Sequence, residues 1–332
     1  MRSVPQRKIA LSLIALCVLA ALAFYVATIP VGVLASALPE HAPDLANGKY
    51  LFTAGGCADC HAVPLKGCGD LKIKDAERLA GGRCLKTPFG TFNVPNISPD
   101  KETGIGNWTT LDFVTAMKRG IAPDGTYLYP AFPYTSYQRM TYEDLIDLKA
   151  YLDGLPAAKS KVPPSELRFP FNLRRGLGLW HLLYVDGKSF TPDLSASAEF
   201  NRGAYLVRGP AHCSECHSSR NSLGGIVKDT EFAGAPSVEG DSSVPNITPS
   251  EDGIGDWSEE DIAYLLETGS KPDYDTIGET MVAVQENMAK LTPEDRNAIA
   301  AYIKSLPPRP DAVPKTEKST DGEQGGAGEG KP

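Results

Sequence analysis

The stretch Cys57-Ala58-Asp59-Cys60-His61 decides how the rest of this chain is read. It has the form Cys-x-x-Cys-His, the pattern by which c-type haem is attached to a polypeptide. Two cysteine sulfurs add across the haem vinyl groups as thioethers. The two-residue spacer puts both sulfurs on one side of a short helical turn, and the histidine that follows lies under the porphyrin to bind iron from the proximal side. The pattern returns at Cys213-Ser214-Glu215-Cys216-His217. Two copies imply two covalently bound haem c groups, held by Cys57, Cys60, Cys213 and Cys216, with His61 and His217 as proximal ligands.

Two plainer readings are weaker. A redox dithiol needs a thioredoxin-like βαβ context, and neither pair follows a strand-like run. One zinc held by both pairs would need them close in sequence, yet they stand at 57–60 and 213–216. Zinc also leaves the histidine after each pair unexplained.

The 332 residues suffice for two ordinary domains with appendages. A net charge of −8 argues against nucleic acid as a partner, because phosphate binding needs a basic face. It leaves room for docking to basic patches on other proteins.

At the N-terminus, Arg2, Arg7 and Lys8 precede an uncharged apolar run over residues 9–29, long enough to cross a bilayer as a helix. Residues 1–40 are therefore expected to form an inner-membrane anchor. The positive flank stays cytoplasmic and the haem region lies on the periplasmic side. The rival is a signal peptide cleaved after Ala35-Ser36-Ala37; the length of the run favours the anchor. Cys17 lies inside it, and Leu16 is too large for a usual lipoprotein site. An exported chain permits disulfides. Of seven cysteines, Cys68 and Cys84 remain, bracketing a Gly-rich, charged segment that a disulfide would close.

The sequence repeats itself. Asn47-Gly48-Lys49-Tyr50-Leu51 matches Arg202-Gly203-Ala204-Tyr205-Leu206, and Val94-Pro95-Asn96-Ile97 matches Val244-Pro245-Asn246-Ile247. Gly104-Ile105-Gly106-Asn107-Trp108 matches Gly253-Ile254-Gly255-Asp256-Trp257. Each copy closes with a helix whose threonine, Thr141 or Thr292, is the N-cap, with acids in the first turn. Leu145, Leu148 and Leu152, and Ile299, Tyr302, Ile303 and Leu306, give each closing helix one buried stripe. A further helix follows each tryptophan and stops at glycine, Gly120 or Gly269. No long alternating run argues for a sheet, so the fold class is all-α with long loops wrapped on a cofactor. Residues 158–197 join the copies. Their stretch 169–184, rich in Phe, Leu and Trp, reads as a helix packed between the domains in preference to a membrane-surface segment. The tail 309–332 has hardly any apolar side chain and is expected to be disordered.

Several segments carry a closer likeness: Val94-Pro95-Asn96-Ile97-Ser98-Pro99, Pro123-Asp124-Gly125, Leu128-Tyr129-Pro130-Ala131-Phe132-Pro133-Tyr134 and Asn221-Ser222-Leu223-Gly224-Gly225. With the repeats, they resemble the cytochrome c subunits of bacterial membrane-bound dehydrogenases of the alcohol and gluconate type over most of residues 47–308. The resemblance implies tandem class I cytochrome c domains, at 41–157 and 198–308. Those subunits often carry three haems, so this chain resembles a shorter dihaem relative. The family relays electrons from a dehydrogenase catalytic subunit toward quinone, an oxidase or a soluble cytochrome.

The face of iron opposite the histidine decides the chemistry: a thioether there suits electron transfer, an open face invites peroxide or oxygen. Met281 follows Gly269 at the interval by which Phe132 follows Gly120. In the resembled family this place often holds the ligand methionine, so Met281 is the candidate for the second haem, with Met288 its rival. Phe132 cannot ligate, and Met140, before the Thr141 cap, is the candidate for the first. Met117 lies on an apolar helix face and suits core packing. Trp108 and Trp257 suit either the haem edge or an ordinary core. Arg83 and Arg220 are propionate partners or solvated arginines. No Ser-His-Asp arrangement, phosphate loop or flavin fingerprint is present. The leading reading is electron transfer without an enzymatic site. The alternatives are a haem enzyme, such as a peroxidase or sulfur-compound oxidase, and a redox sensor. Pyridine haemochrome analysis of denatured protein should find two c-type haems per chain; one haem, or haem extracted by acid-acetone, would contradict the motif reading.

Overall fold

The computed structural model describes residues 6–70, 72–75, 78–237, 243–278 and 280–313. Helix α1 (Gln6–Ala27) is the apolar N-terminal run. Its stretch Arg7–Ala27 has mean hydropathy 2.7 and none of it is buried, so it is long and apolar enough to cross a membrane.

The first copy holds α2 (Leu45–Ala54), α3 (Cys57–His61), α4 (Thr110–Arg119), α5 (Tyr134–Tyr137) and α6 (Tyr142–Asp153). After α7 (Leu177–Tyr184), the second copy holds α8 (Ala198–Arg208), α9 (Ser214–His217), α10 (Glu259–Thr268), α11 (Thr280–Met288) and α12 (Pro293–Lys304). The helix ends follow local chemistry. Thr141 and Thr292 cap α6 and α12, accepting from the backbone N–H of Asp144 and Asp295. Thr109–Asp112 and Ser258–Asp261 form capping boxes at the starts of α4 and α10. Gly120 and Gly269 end those two helices in the left-handed conformation, at φ 56° and 79°.

Each copy closes where its first helix crosses its last, α2 on α6 and α8 on α12. The crossing point is a glycine. A Cβ at Gly48 would stand 2.2 Å from the Asp147 carbonyl oxygen, and one at Gly203 would stand 1.8 Å from that of Ala298. The stripes expected on the closing helices are buried there: Leu145, Leu148 and Leu152 in one core, Ile299, Tyr302, Ile303 and Leu306 in the other.

Three features differ from the sequence reading. Short strands are present. β1 (Cys84–Thr87) and β2 (Gly90–Asn93) form an antiparallel hairpin extended by β3 (Glu166–Leu167), and β4 (Ala235–Pro236) pairs with β5 (Ser243–Val244). They are too short to show as alternation, and the Cys68–Cys84 disulfide joins the loop before β1 to its first residue. Next, 169–184 is helical only from Arg174, as a 3₁₀ turn leading into α7. Pro170 donates no N–H and disfavours helix at Phe169. Third, Arg309 and Ala312 hydrogen-bond to Thr248 and Ala233. Residues 314–332 of the tail expected to be disordered lie outside the described residues.

The two copies meet through reciprocal contacts of equivalent residues. Tyr50 donates to Asp295 at 2.5 Å, and Tyr205 donates to Asp144. Each hydroxyl also accepts the N–H of the opposite cap, Thr292 at 3.2 Å and Thr141 at 3.3 Å. This is the self-complementary pattern of a two-fold dimer, here inside one chain.

Gly203→Ala should cost about 1–3 kcal/mol, the usual range for overpacking a tight contact, read as a lower midpoint in chemical denaturation. Gly278→Ala, with nothing within 4 Å of the added carbon, should leave the midpoint unchanged. Equal midpoints for both variants would show that the close crossing is not required.

Candidate haem sites

Helix α2 ends in Gly55-Gly56, and Gly56 takes φ 55°, so the chain turns at once into α3. Cys57, Cys60 and His61 thus share one short turn, and Cys213, Cys216 and His217 share another around α9. In each site the histidine is fixed by a proline. His61 Nδ1 lies 2.8 Å from the Pro95 carbonyl oxygen, and His217 Nδ1 lies 2.8 Å from that of Pro245. A carbonyl only accepts, so Nδ1 carries the proton and the lone pair of Nε2 is left for a metal. Burial holds both imidazoles below their ordinary pKa, which keeps them neutral. Burial also pushes the Cys57 and Cys213 thiols up to about 12.

A cavity of about 2040 Å³ opens over α3, bounded by Cys57, Cys60 and His61, and reaches Cys216 of the second copy. Ordinary small-molecule pockets hold roughly 300–1,000 Å³. Its walls are apolar for the most part, with Ile105, Trp108, Phe132, Met140 and Leu148 among them. Two sulfurs, a neutral imidazole with a free Nε2 and a wide apolar cavity are what a thioether-bound haem requires.

Both arginines line the cavity, Arg83 buried and Arg220 exposed. Arg83 donates to the Asp59 carbonyl at 2.9 Å; Arg220 donates to the Glu215 carbonyl at 2.9 Å. Each braces the third residue of its own motif. Met140 is buried in the first core and lines the cavity, while Lys118, itself buried, donates to its backbone carbonyl. Met117 is buried in the same core. In the second copy, Met281 is half-buried near the start of α11 and away from that cavity wall. Met288, two turns on, is buried in the second core and lines the wall beside Ala283, Val284 and Asn287. Trp257 packs against the second core.

The motifs also touch each other. Asp59 accepts from Asn287 of the second copy at 2.7 Å, and Glu215 accepts from Thr135 and Ser136 of the first at 2.6 and 2.8 Å. His212, directly before Cys213, holds φ 40°, reaches the Gly55 carbonyl at 3.3 Å and stacks edge-on with Tyr137 at 5.5 Å. Positive φ at a histidine is uncommon and persists where surrounding contacts impose it.

A sequence model described as cytochrome c matches residues 45–156 and again 200–307. The chain belongs to the cytochrome c family. A dihaem cytochrome c-type protein of Cereibacter sphaeroides is 46% identical over 264 residues, covering 80% of this chain and 86% of that protein. A fructose dehydrogenase cytochrome subunit of Gluconobacter japonicus is 37% identical over 270 residues, 80% of this chain and 53% of that subunit. A gluconate 2-dehydrogenase cytochrome c subunit of Pantoea cypripedii is 35% identical over 270 residues, 78% of this chain and 59% of that subunit. The chain thus spans little more than half the length of these dehydrogenase subunits. It is a cytochrome c with two haem domains and carries two covalently bound haem c groups.

Sequence reasoning missed the proline carbonyls, although both prolines stand inside a repeated segment. It also missed His212, Asp59 and Glu215, whose partners lie in the other copy. Glu215 is held on one side by Thr135 and Ser136 and on the other by Arg220 at 2.6 Å. Glu215→Ala should weaken the domain contact by about 1–3 kcal/mol, the cost of leaving buried polar partners unmet. Calorimetry should then resolve two unfolding transitions where the parent shows more overlap. An unchanged trace would remove Glu215 from the domain contact.

Proposed function

We propose that this dihaem cytochrome c transfers electrons at the periplasmic face of the inner membrane, from a dehydrogenase catalytic subunit toward the respiratory chain. The acceptor class is a quinone, an oxidase or a soluble cytochrome. The observation that carries the proposal is the pair of matched sites, each with a histidine fixed by a proline carbonyl, facing one another across reciprocal contacts within one chain. Helix α1 supports a single-pass anchor, and the dehydrogenase cytochrome subunits among its relatives support the donor.

His61 and His217 supply the proximal nitrogens, and Cys57, Cys60, Cys213 and Cys216 the thioether sulfurs. When bound, haem supplies a one-electron couple whose potential depends on the sixth ligand. Met140 is the sixth ligand proposed for the first iron. Its position beside the Thr141 cap and the Lys118 contact with its carbonyl hold its backbone in place. Met281 is proposed for the second, because its counterpart in the first copy, Phe132, lines the first cavity. Met288 is its competitor.

If both irons carry thioethers, carbon monoxide should leave the spectrum of the reduced protein nearly unchanged. Met140→Ala and Met281→Ala should each abolish one sulfur–iron charge-transfer band in the ferric spectrum and lower one potential, since a soft thioether stabilises ferrous iron. Met117→Leu should change neither site. Loss of the band in Met288→Leu in place of Met281→Ala would move the second ligand to Met288. Rapid carbon monoxide binding by the parent would favour the haem-enzyme reading.

A further inference from the structure

We propose that the outer face of residues 169–183 rests in the lipid interface, a second membrane contact beside α1; this rests on α1 being a retained anchor. Leu182 of α7 is 66% exposed and lies off the cavity wall, while Leu179 and Leu183, 45% and 66% exposed, border the cavity over the first motif and continue its apolar lining outward. Just before them, Phe169 is 78% exposed and off the cavity wall, and Leu173, 56% exposed, borders the cavity. The inner face of α7 is already taken. Trp180 is buried, donates from Nε1 to the Leu223 carbonyl at 3.0 Å and stacks on Tyr184 at 4.6 Å. The helix thus buries Gly178 and Trp180 and still exposes leucine on its other side, where a surface helix in water would carry polar residues.

Its place in the fold identifies the occupant. A Cβ at Gly178 would meet Thr28 Cβ at 2.5 Å, so α7 crosses the end of α1 in close backbone contact. Arg175 donates to Thr28 Oγ1 at 2.8 Å and to the Tyr25 carbonyl at 2.9 Å, with its guanidinium 4.9 Å from the Tyr25 ring centre. The 22-residue α1 is about as long as the hydrocarbon is thick, so Tyr25 and Thr28 mark the level where it leaves the lipid. The leucine face begins at that level. Residues 167–185 contain no acid and three arginines, in a chain of net charge −8. Arg168 and Arg174 are exposed and suit anionic headgroups. One spanning helix leaves the haem domains free to swivel; a second contact fixes which side of the haem pair faces the bilayer.

The test uses full-length haem-loaded protein in vesicles of phosphatidylethanolamine and phosphatidylglycerol, with Cys17→Ala as background and its intact N-terminus checked by mass spectrometry. Nitroxides are placed at Leu182→Cys, at Phe169→Cys and, as a water-exposed reference, at Tyr274→Cys, which is 94% exposed. Lipid contact predicts severalfold more collision with oxygen than with a water-soluble nickel chelate at 169 and 182, and the reverse at 274. Nickel access at 182 equal to that at 274 would overturn the proposal. Low access to both reagents would also overturn it, by showing a protein partner on this face. A truncated N-terminus would instead defeat the anchor reading, and the labelled sites would not be interpreted as its failure.

Discussion

The close crossing of first and last helix over one glycine is the constraint on which each half of this cytochrome depends. The haem motif follows the first helix closely, at Cys57 soon after Ala54 and at Cys213 after Arg208 with a slightly longer turn. Whatever fixes that helix fixes the cysteines. With no side chain at Gly48 or Gly203, the backbones approach until carbonyl oxygens fill the space, and the first helix can neither slide nor rotate. The proline carbonyl then sets the imidazole plane from the opposite side. Backbone atoms thus hold the motif from two directions, which makes the ligand geometry insensitive to most side-chain changes around it.

The same crossing builds the interface between halves. Tyr50 and Tyr205 sit two residues beyond the crossing glycines, and Asp144 and Asp295 sit in the first turns of the closing helices. A two-fold relation brings each tyrosine to the other half's aspartate and cap. Asp295 is already bound by Arg202 at 2.7 and 2.8 Å, and Asp144 by Asn47 at 2.7 Å. Each tyrosine hydroxyl therefore adds to a carboxylate that its own half has oriented. Contacts to charged groups are worth about 1.5–3 kcal/mol each, so the reciprocal pair is a large share of what holds two domains in register.

What the sequence made legible was local. The Cys-x-x-Cys-His turns, the threonine caps, the terminating glycines and the apolar stripes depend on neighbours within a few residues, and each stands where its residue chemistry puts it. The repeats located both domains. What stayed hidden was non-local. Pro95 and Tyr50 were visible as repeated residues, but their partners are 34 residues away in one case and 245 in the other, and no periodicity reports such a pairing. The short strands were hidden because four residues carry too little alternation. The buried place of Arg83 was hidden because it donates to a backbone carbonyl, which composition cannot show.

Several departures from two-fold symmetry gather on the first half. Only there do the Cys68–Cys84 disulfide and a third strand, β3, occur among the described residues, and the segment that follows α1 meets that same half, Tyr127 through Thr28 and Thr115 through Val33. The hairpin and α7 also frame the cavity over the first motif, through Phe89 and Phe92 on one side and Leu177 and Trp180 on the other. Two haem sites with matched proximal sides are therefore set in unequal surroundings. Because the proximal contacts are the same in both copies, a difference in behaviour between the haems has to arise on the distal side or from the medium. The first half is where both vary: Phe132 replaces a methionine, a buried lysine holds the Met140 carbonyl, and apolar side chains lead from the motif toward the end of the membrane helix.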